Sequence, residues 1–258
     1  MRDAARYNAA TMPPPPPEDL VFDIETVPER PFAELTPEIQ AYLAQREGDG
    51  LDAADKAADK LALSAGTGRV ACICLRNSAT GGFGALVVDP ARADPDAPWR
   101  TLDFTDLDGQ PAPCKAFYGS EAQVLAAFWE AVDNRHRRTR LVSYNGRGFD
   151  GPFVALRSLR LGVVPTRNLT PYRYSHADHA DLMDVITAFG AARQTFSLAY
   201  WCAAFGIPSP KSELSGAGVA DAVAAGRLDD VVRYCLSDVD ATWRLYGKLR
   251  PLMDLQAK

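Results

Sequence analysis

Asp23 and Glu25 stand in the middle of an apolar run, Leu20-Val21-Phe22-Asp23-Ile24-Glu25-Thr26-Val27, which Pro28 ends. The run has the aliphatic and aromatic content of a buried strand. Side chains alternate along a strand, so Asp23 and Glu25 share one face while Phe22 and Ile24 share the other. Two carboxylates side by side on a buried face repel, and each is costly to desolvate. A divalent cation bridging them removes both costs, and an edge strand with one solvated face avoids them. The pair alone is a weak signal of either.

The remaining pattern predicts where that strand sits. Residues 69–76 and 83–89 read as strands of an antiparallel hairpin around the turn Ala79-Thr80-Gly81-Gly82. A Pro/Asp-rich excursion over 90–113 holds another short strand near 99–104. Ser120 and Gln123 form a capping box for a helix whose Val124, Leu125, Phe128, Trp129 and Val132 recur at helical spacing. Leu141 to Tyr144 is a short buried strand, followed by a glycine-rich turn and a helix opening at Pro152. Ser197 caps a helix over 198–205 that stops at Gly206, and a last helix runs over 228–249. Strands first, then strands and helices in alternation, predict an α/β domain with a mixed five-stranded sheet flanked by helices. Residues 1–18, with Pro13 to Pro17 as polyproline II, form a flexible tail, residues 19–250 a single domain, and residues 251–258 a C-terminal tail. Within the domain, residues 29–68 are polar and poor in large apolar side chains, and read as an insertion with a surface helix over 51–63.

Composition narrows the classes. The 258 residues are 47% hydrophobic and 24% charged, as in a folded globular domain. No apolar run reaches the roughly 18–20 residues of a membrane span. The polar N-terminus carries no secretory pattern, so a cytoplasmic protein without membrane association is expected. Five scattered cysteines predict reduced thiols. Cys72 and Cys74 share a strand face, but no second Cys/His pair lies at zinc spacing, and they read as small core residues. A net charge of −5 argues against coating nucleic acid by bulk attraction. The charge is uneven, because residues 133–173 hold nine arginines against Asp133 and Asp150 and so carry +7, leaving −12 for the rest. Arg157 and Arg160 of this segment are candidate phosphate contacts.

Three more places hold acids where packing would not choose them. Asp150 lies in Asn145-Gly146-Arg147-Gly148-Phe149-Asp150, where a strand ends and a helix begins. In isolation it reads better as a helix N-cap, and Asn145 and the glycines as turn residues. Tyr234 and Asp238 are four apart, on the core-facing side of the last helix, whereas Asp240 points elsewhere and reads as a surface charge. In His176-Ala177-Asp178-His179-Ala180-Asp181 the histidines read as surface or capping residues, with Asp181 as a reserve carboxylate.

Taken together, three of these segments resemble the Exo I, Exo II and Exo III motifs of the DEDD 3′–5′ exonuclease superfamily. Asp23-Ile24-Glu25 is similar to the Asp-x-Glu of the first, Asn145 through Phe149-Asp150 to the Asn-x-x-x-Phe-Asp of the second, and Tyr234-x-x-x-Asp238 to the Tyr-x-x-x-Asp that marks the DEDDy subgroup. The spelling Asp23-Ile24-Glu25-Thr26-Val27-Pro28 and the block Asp181-Leu182-Met183-Asp184-Val185 resemble predicted exonucleases related to the proofreading domain of family B DNA polymerases. The resemblance spans about 20–249 and implies a ribonuclease H-like fold. It implies two Mg²⁺ or Mn²⁺ ions held by Asp23, Glu25, Asp150 and Asp238, with Tyr234 orienting the attacking water and 5′-mononucleotides released from a 3′ end. Asn145 and Phe149 become candidate substrate contacts, Phe149 being equally a core aromatic. The expected partner is nucleic acid with a free 3′ end, single-stranded DNA first, with RNA trimming and a silent scaffold as alternatives. The Pro-rich tail and the 29–68 insertion are candidate surfaces for a protein partner, and no polymerase domain is expected after the last helix.

Overall fold

A computed structural model of the chain describes residues 18–133, 139–208, 214 and 216–256. The carboxylate-bearing strand is β1 (Glu18–Pro28). It pairs antiparallel with β2 (Gly68–Asn77), and β2 pairs antiparallel with β3 (Phe83–Val88), as the hairpin pattern predicts. Three more strands flank these: β4 (Trp99–Thr101), β7 (Cys114–Gly119) and β8 (Thr139–Ser143), and β9 (His179–Asp181) closes the far edge. The resulting seven-stranded mixed sheet has the order β4-β7-β3-β2-β1-β8-β9, with β3/β7, β1/β8 and β8/β9 parallel. A separate pair, β5 (Phe104–Thr105) and β6 (Pro111–Ala112), lies in the excursion.

The mixed α/β class agrees with expectation, but the sheet has seven strands rather than five. Strand β7 was hidden because Lys115 interrupts a run of only six residues just before the Ser120 capping box. The short strand expected near 99–104 is β4, and the edge strand β9, three residues long, is too short for an alternating pattern to register.

Two apolar layers enclose the sheet. Phe22, Ile24, Ile73 and Leu86 meet α3 (Glu121–Val132) and α4 (Asp150–Arg160) on one face. Val21, Val27, Cys72, Cys74 and Ala85 meet α5 (Leu182–Ile186), α7 (Val219–Ala224) and α8 (Leu228–Gln256) on the other. The Ser120 and Gln123 box caps α3, and Ser197 caps α6 (Leu198–Ala204), which packs against α8.

Three boundaries differ from expectation. Helix α4 opens at Asp150, two residues before Pro152. Helix α8 continues through Pro251 to Gln256, so residues 251–256 extend the helix rather than form a tail. Residues 29–68 contain two helices, α1 (Pro37–Arg46) and α2 (Ala53–Asp59), instead of one. No residue of α1 is buried, which left its sequence without an apolar stripe to read. The Pro-rich run lies outside the described residues. Among them, no helix is long and apolar enough to cross a membrane.

Candidate active site

Strand β1 occupies an interior position in the sheet, so the solvated-edge explanation of its acids fails. Asp23 and Glu25 face α8, opposite Cys74 and Cys72 of β2 in the strand register. Helix α8 lies across this face and brings Tyr234 and Asp238, one turn apart, to it. From the neighbouring strand β8 the chain enters the turn that leads to Asp150. Asp150 is 3% exposed, and its Oδ1 accepts the Ile24 amide at 3.1 Å. Four carboxylates and one phenol from three distant segments therefore converge, as the motif resemblance implies.

The turn before Asp150 has a dedicated support. Asp181 at the end of β9 accepts the amides of Asn145 (2.9 Å), Arg147 (2.8 Å) and Met183 (3.0 Å). Asn145 holds φ +64°, a left-handed conformation that asparagine tolerates better than most residues. His179 Nδ1 lies 2.7 Å from the Leu169 carbonyl, to which it must donate, so Nε2 accepts from Ser143 Oγ at 2.7 Å. Burial pushes the His179 pKa down to about 3, which keeps the ring neutral. His179 is thus an internal strut of the turn, correcting its reading as a surface or capping residue. Asp181 shapes the turn through three amides. The signal for both was the apolar surroundings of the later block, Ala180-Asp181-Leu182.

Burial is the largest cause raising the pKa of all four central carboxylates. Asp150, Glu25 and Asp238 also raise Asp23 by repulsion, and Asp23 stands well above the usual range. Asp150 is pushed up to about 7 and Asp238 to about 6. Among the described residues, no arginine or lysine is a leading influence on any of the four. Clustered carboxylate oxygens are the donor set that hard divalent cations such as Mg²⁺ and Mn²⁺ take. Tyr234 is shifted upward by burial and by Asp238, so its hydroxyl keeps its proton at neutral pH.

The expected substrate contacts divide. The Asn145 side chain lines a cavity of about 480 Å³ together with Arg147, Arg173 and Asp184. Phe149 is half-buried, packs against the α3/α4 core and meets the Phe153 ring at 5.6 Å, the arrangement of a core aromatic.

Arg157 is corrected. Arg157 is 2% exposed and makes paired hydrogen bonds to both Glu29 and Glu121. Arg160 donates to Glu29 and to the carbonyls of Ala65 and Gly66. Arg157 thus ties the start of the 29–68 segment to α3 and faces no phosphate backbone, while Arg160, itself exposed, joins the two ends of that segment. The other described arginines of the basic stretch also have internal partners, although Arg173 stays largely exposed. Arg140 pairs with Asp19, Arg147 and Arg167 donate to backbone carbonyls, and Arg173 pairs with Asp184. Arg135, Arg137 and Arg138 lie outside the described residues.

Asp240 is a further correction. It is fully buried, pairs with Arg76 and Arg244, and accepts the Leu107 amide. The readable signal was Arg244, one turn further along the helix.

This architecture, with paired acids on a central strand and a Tyr-x-x-x-Asp helix laid over them, is that of a ribonuclease H-like exonuclease domain. The family B DNA polymerase from the hyperthermophilic archaeon Pyrobaculum calidifontis has a similar fold, with a TM-score of 0.55 at 19% identity over 95% of this chain. The chain spans 28% of that polymerase's length. A family described as predicted 3′–5′ exonuclease related to the exonuclease domain of PolB matches residues 113–255, and the chain belongs to this family. That match covers Asp150, Tyr234 and Asp238, while Asp23 and Glu25 precede it. No curated protein matches the chain.

Proposed function

We propose that the chain is a metal-dependent 3′–5′ exonuclease acting on single-stranded DNA. The observation that carries this reading is the convergence of Asp23, Glu25, Asp150 and Asp238 on one another, with no arginine or lysine among the described residues as a leading influence. Asp23, Glu25 and Asp238 are the residues for one divalent ion, and Asp23 with Asp150 for a second. Such ions supply the positive charge that activates water and stabilises a leaving 3′-oxygen. Tyr234 stays protonated beside Asp238, so it orients the attacking water as a hydrogen-bonding group and not as a base. Asp181 and His179 hold the turn that delivers Asp150, and their contribution is to keep the acids in register.

The test is trimming of end-labelled oligonucleotides, with single-stranded DNA beside RNA of the same sequence. Expected is 5′-mononucleotide release from the 3′ end that requires Mg²⁺ or Mn²⁺, is faster on DNA, and is lost in Asp23→Ala and Asp238→Ala. Faster trimming of RNA assigns the RNA-processing activity instead. Trimming indifferent to metal or to both substitutions overturns the enzyme reading.

A further inference from the structure

Cys72 and Cys74 lack a partner pair in the sequence, and the fold supplies a third thiol from far away. Cys235, between Tyr234 and Leu236 on α8, comes down on the β2 pair, and the three sulfurs lie within 4.8 Å of one another. All three are fully buried. The strand register sets Cys74 opposite Asp23 and Cys72 opposite Glu25, so the thiols line the inner side of the carboxylate pair. Cys235 Sγ stands 3.6 Å from Asp23 Oδ2 and 3.5 Å from the Asp23 carbonyl. Cys235 also falls within 4.8 Å of the ligand atoms of both Asp23 and Glu25. It therefore belongs to two donor sets at once, one of sulfur and one of oxygen.

We propose that Cys72, Cys74 and Cys235 form a site for a thiophilic divalent cation of the zinc class, with Asp23 as the fourth ligand, and that its occupancy withdraws Asp23 from the carboxylate centre. Tetrahedral zinc holds sulfur at about 2.3 Å, which sets the sulfurs roughly 3.8 Å apart. The three sulfurs, within 4.8 Å of one another, admit that spacing, and Asp23, which clusters with Cys235 but not with Cys72 and Cys74, must turn toward them to close the set. Three sulfurs and one carboxylate oxygen make a closed tetrahedral set, unlike the open oxygen sets that Mg²⁺ takes. Soft and hard cations would thus compete for one side chain, Asp23. The binding part of the proposal stands on the thiol geometry alone, and its inhibitory consequence rests on the exonuclease reading.

The full chain, stripped of metal and kept under anaerobic conditions, is titrated with Cd²⁺ while thiolate-to-cadmium absorption is followed in the near ultraviolet. Expected is a band that saturates at one equivalent, persists in Cys114→Ser and Cys202→Ser, and is lost in Cys74→Ala and Cys235→Ala. No stoichiometric band in the wild-type protein overturns the site, whatever the variants do. A band unchanged in Cys235→Ala also overturns it. In the trimming assay, one equivalent of Zn²⁺ over a working concentration of Mg²⁺ slows the wild-type protein at least tenfold and slows Cys74→Ala less than twofold. Equal inhibition of the two removes the inhibitory role. A protein that binds Cd²⁺ as described but trims nothing sinks the exonuclease reading and leaves the thiolate site standing.

Discussion

The Ile24 amide, lying between the two acids of β1, donates to Asp150 Oδ1 at 3.1 Å across 126 residues of sequence. The bond fixes the distance between the first and second acidic segments without help from a metal. Asp150→Asn keeps an acceptor for that amide and removes only the charge. We expect it to fold normally and to trim at least 100-fold more slowly. Asp150→Ala also leaves a buried amide unpaired, which costs about 1–3 kcal/mol more than the Asn change. Denaturant melts of the two variants check the difference, and equal stabilities would contradict the structural role of the bond.

The four central acids make the metal-free protein sensitive to pH in a defined direction. Asp150 titrates near 7 in the folded state against an ordinary value of 3.8, and Asp238 near 6. The folded chain therefore holds protons that the unfolded chain has released, and metal-free stability falls as pH rises from about 4 to about 7. Divalent cations bind the ionised form and reverse this loss. Thermal melts with and without Mn²⁺ should differ little at pH 5 and by several degrees at pH 8. Stabilisation by Mn²⁺ that is equal at both values would refute the assignment of these acids as ligands.

The sequence carried the acids and their order because each sat where packing would not put it. Asp23 and Glu25 broke an apolar strand, and Asp238 shared a helix face with Tyr234 and Val231. What it did not carry were contacts between residues distant in sequence. Arg157 reads as one of nine similar arginines until Glu29 and Glu121 arrive from two other elements. Cys235 reads as one of five scattered thiols until β2 places two more sulfurs beside it. Asp240 and Asp238 are two apart on one helix, and beyond the local hint of Arg244 it is the tertiary packing of Arg76 that marks Asp240 as a buried pair. Charge runs are thus poor guides to a binding face, since a guanidinium satisfies internal carbonyls and acids as readily as phosphates.

Arg157→Ala should act on stability and not on substrate. The side chain makes paired bonds to Glu29 at 3.0 Å and to Glu121 at 2.7 and 2.8 Å, and its removal leaves two carboxylates facing each other. Breaking a buried pair from one side costs roughly 3–5 kcal/mol. Arg157→Lys recovers little, because one ammonium cannot fork to two carboxylates. Urea melts give the loss, and the salt dependence of oligonucleotide binding by the folded fraction should keep its wild-type slope. A shallower slope would return Arg157 to the substrate face.

Asp238 and Asp240 supply the sharpest contrast, being two residues apart on α8 with opposite assignments. Asp238 lies beside Tyr234 and faces the carboxylate centre, so Asp238→Asn removes charge where cations are needed and should slow trimming at least 100-fold. The same change relieves repulsion in the metal-free protein and should raise its melting temperature at pH 8. Asp240 is held by Arg76, Arg244 and the Leu107 amide, with Arg76 also lying over the Phe83 and Trp243 rings at 5.0 and 5.1 Å. Asp240→Asn leaves the two guanidinium groups without their shared counter-charge, which should destabilise the fold by about 3 kcal/mol. Each folded Asp240→Asn molecule should nevertheless trim within a few-fold of the wild-type rate. Measuring melts and single-turnover trimming on both variants separates the two roles, and a loss of trimming in Asp240→Asn as large as in Asp238→Asn would place both acids in one site.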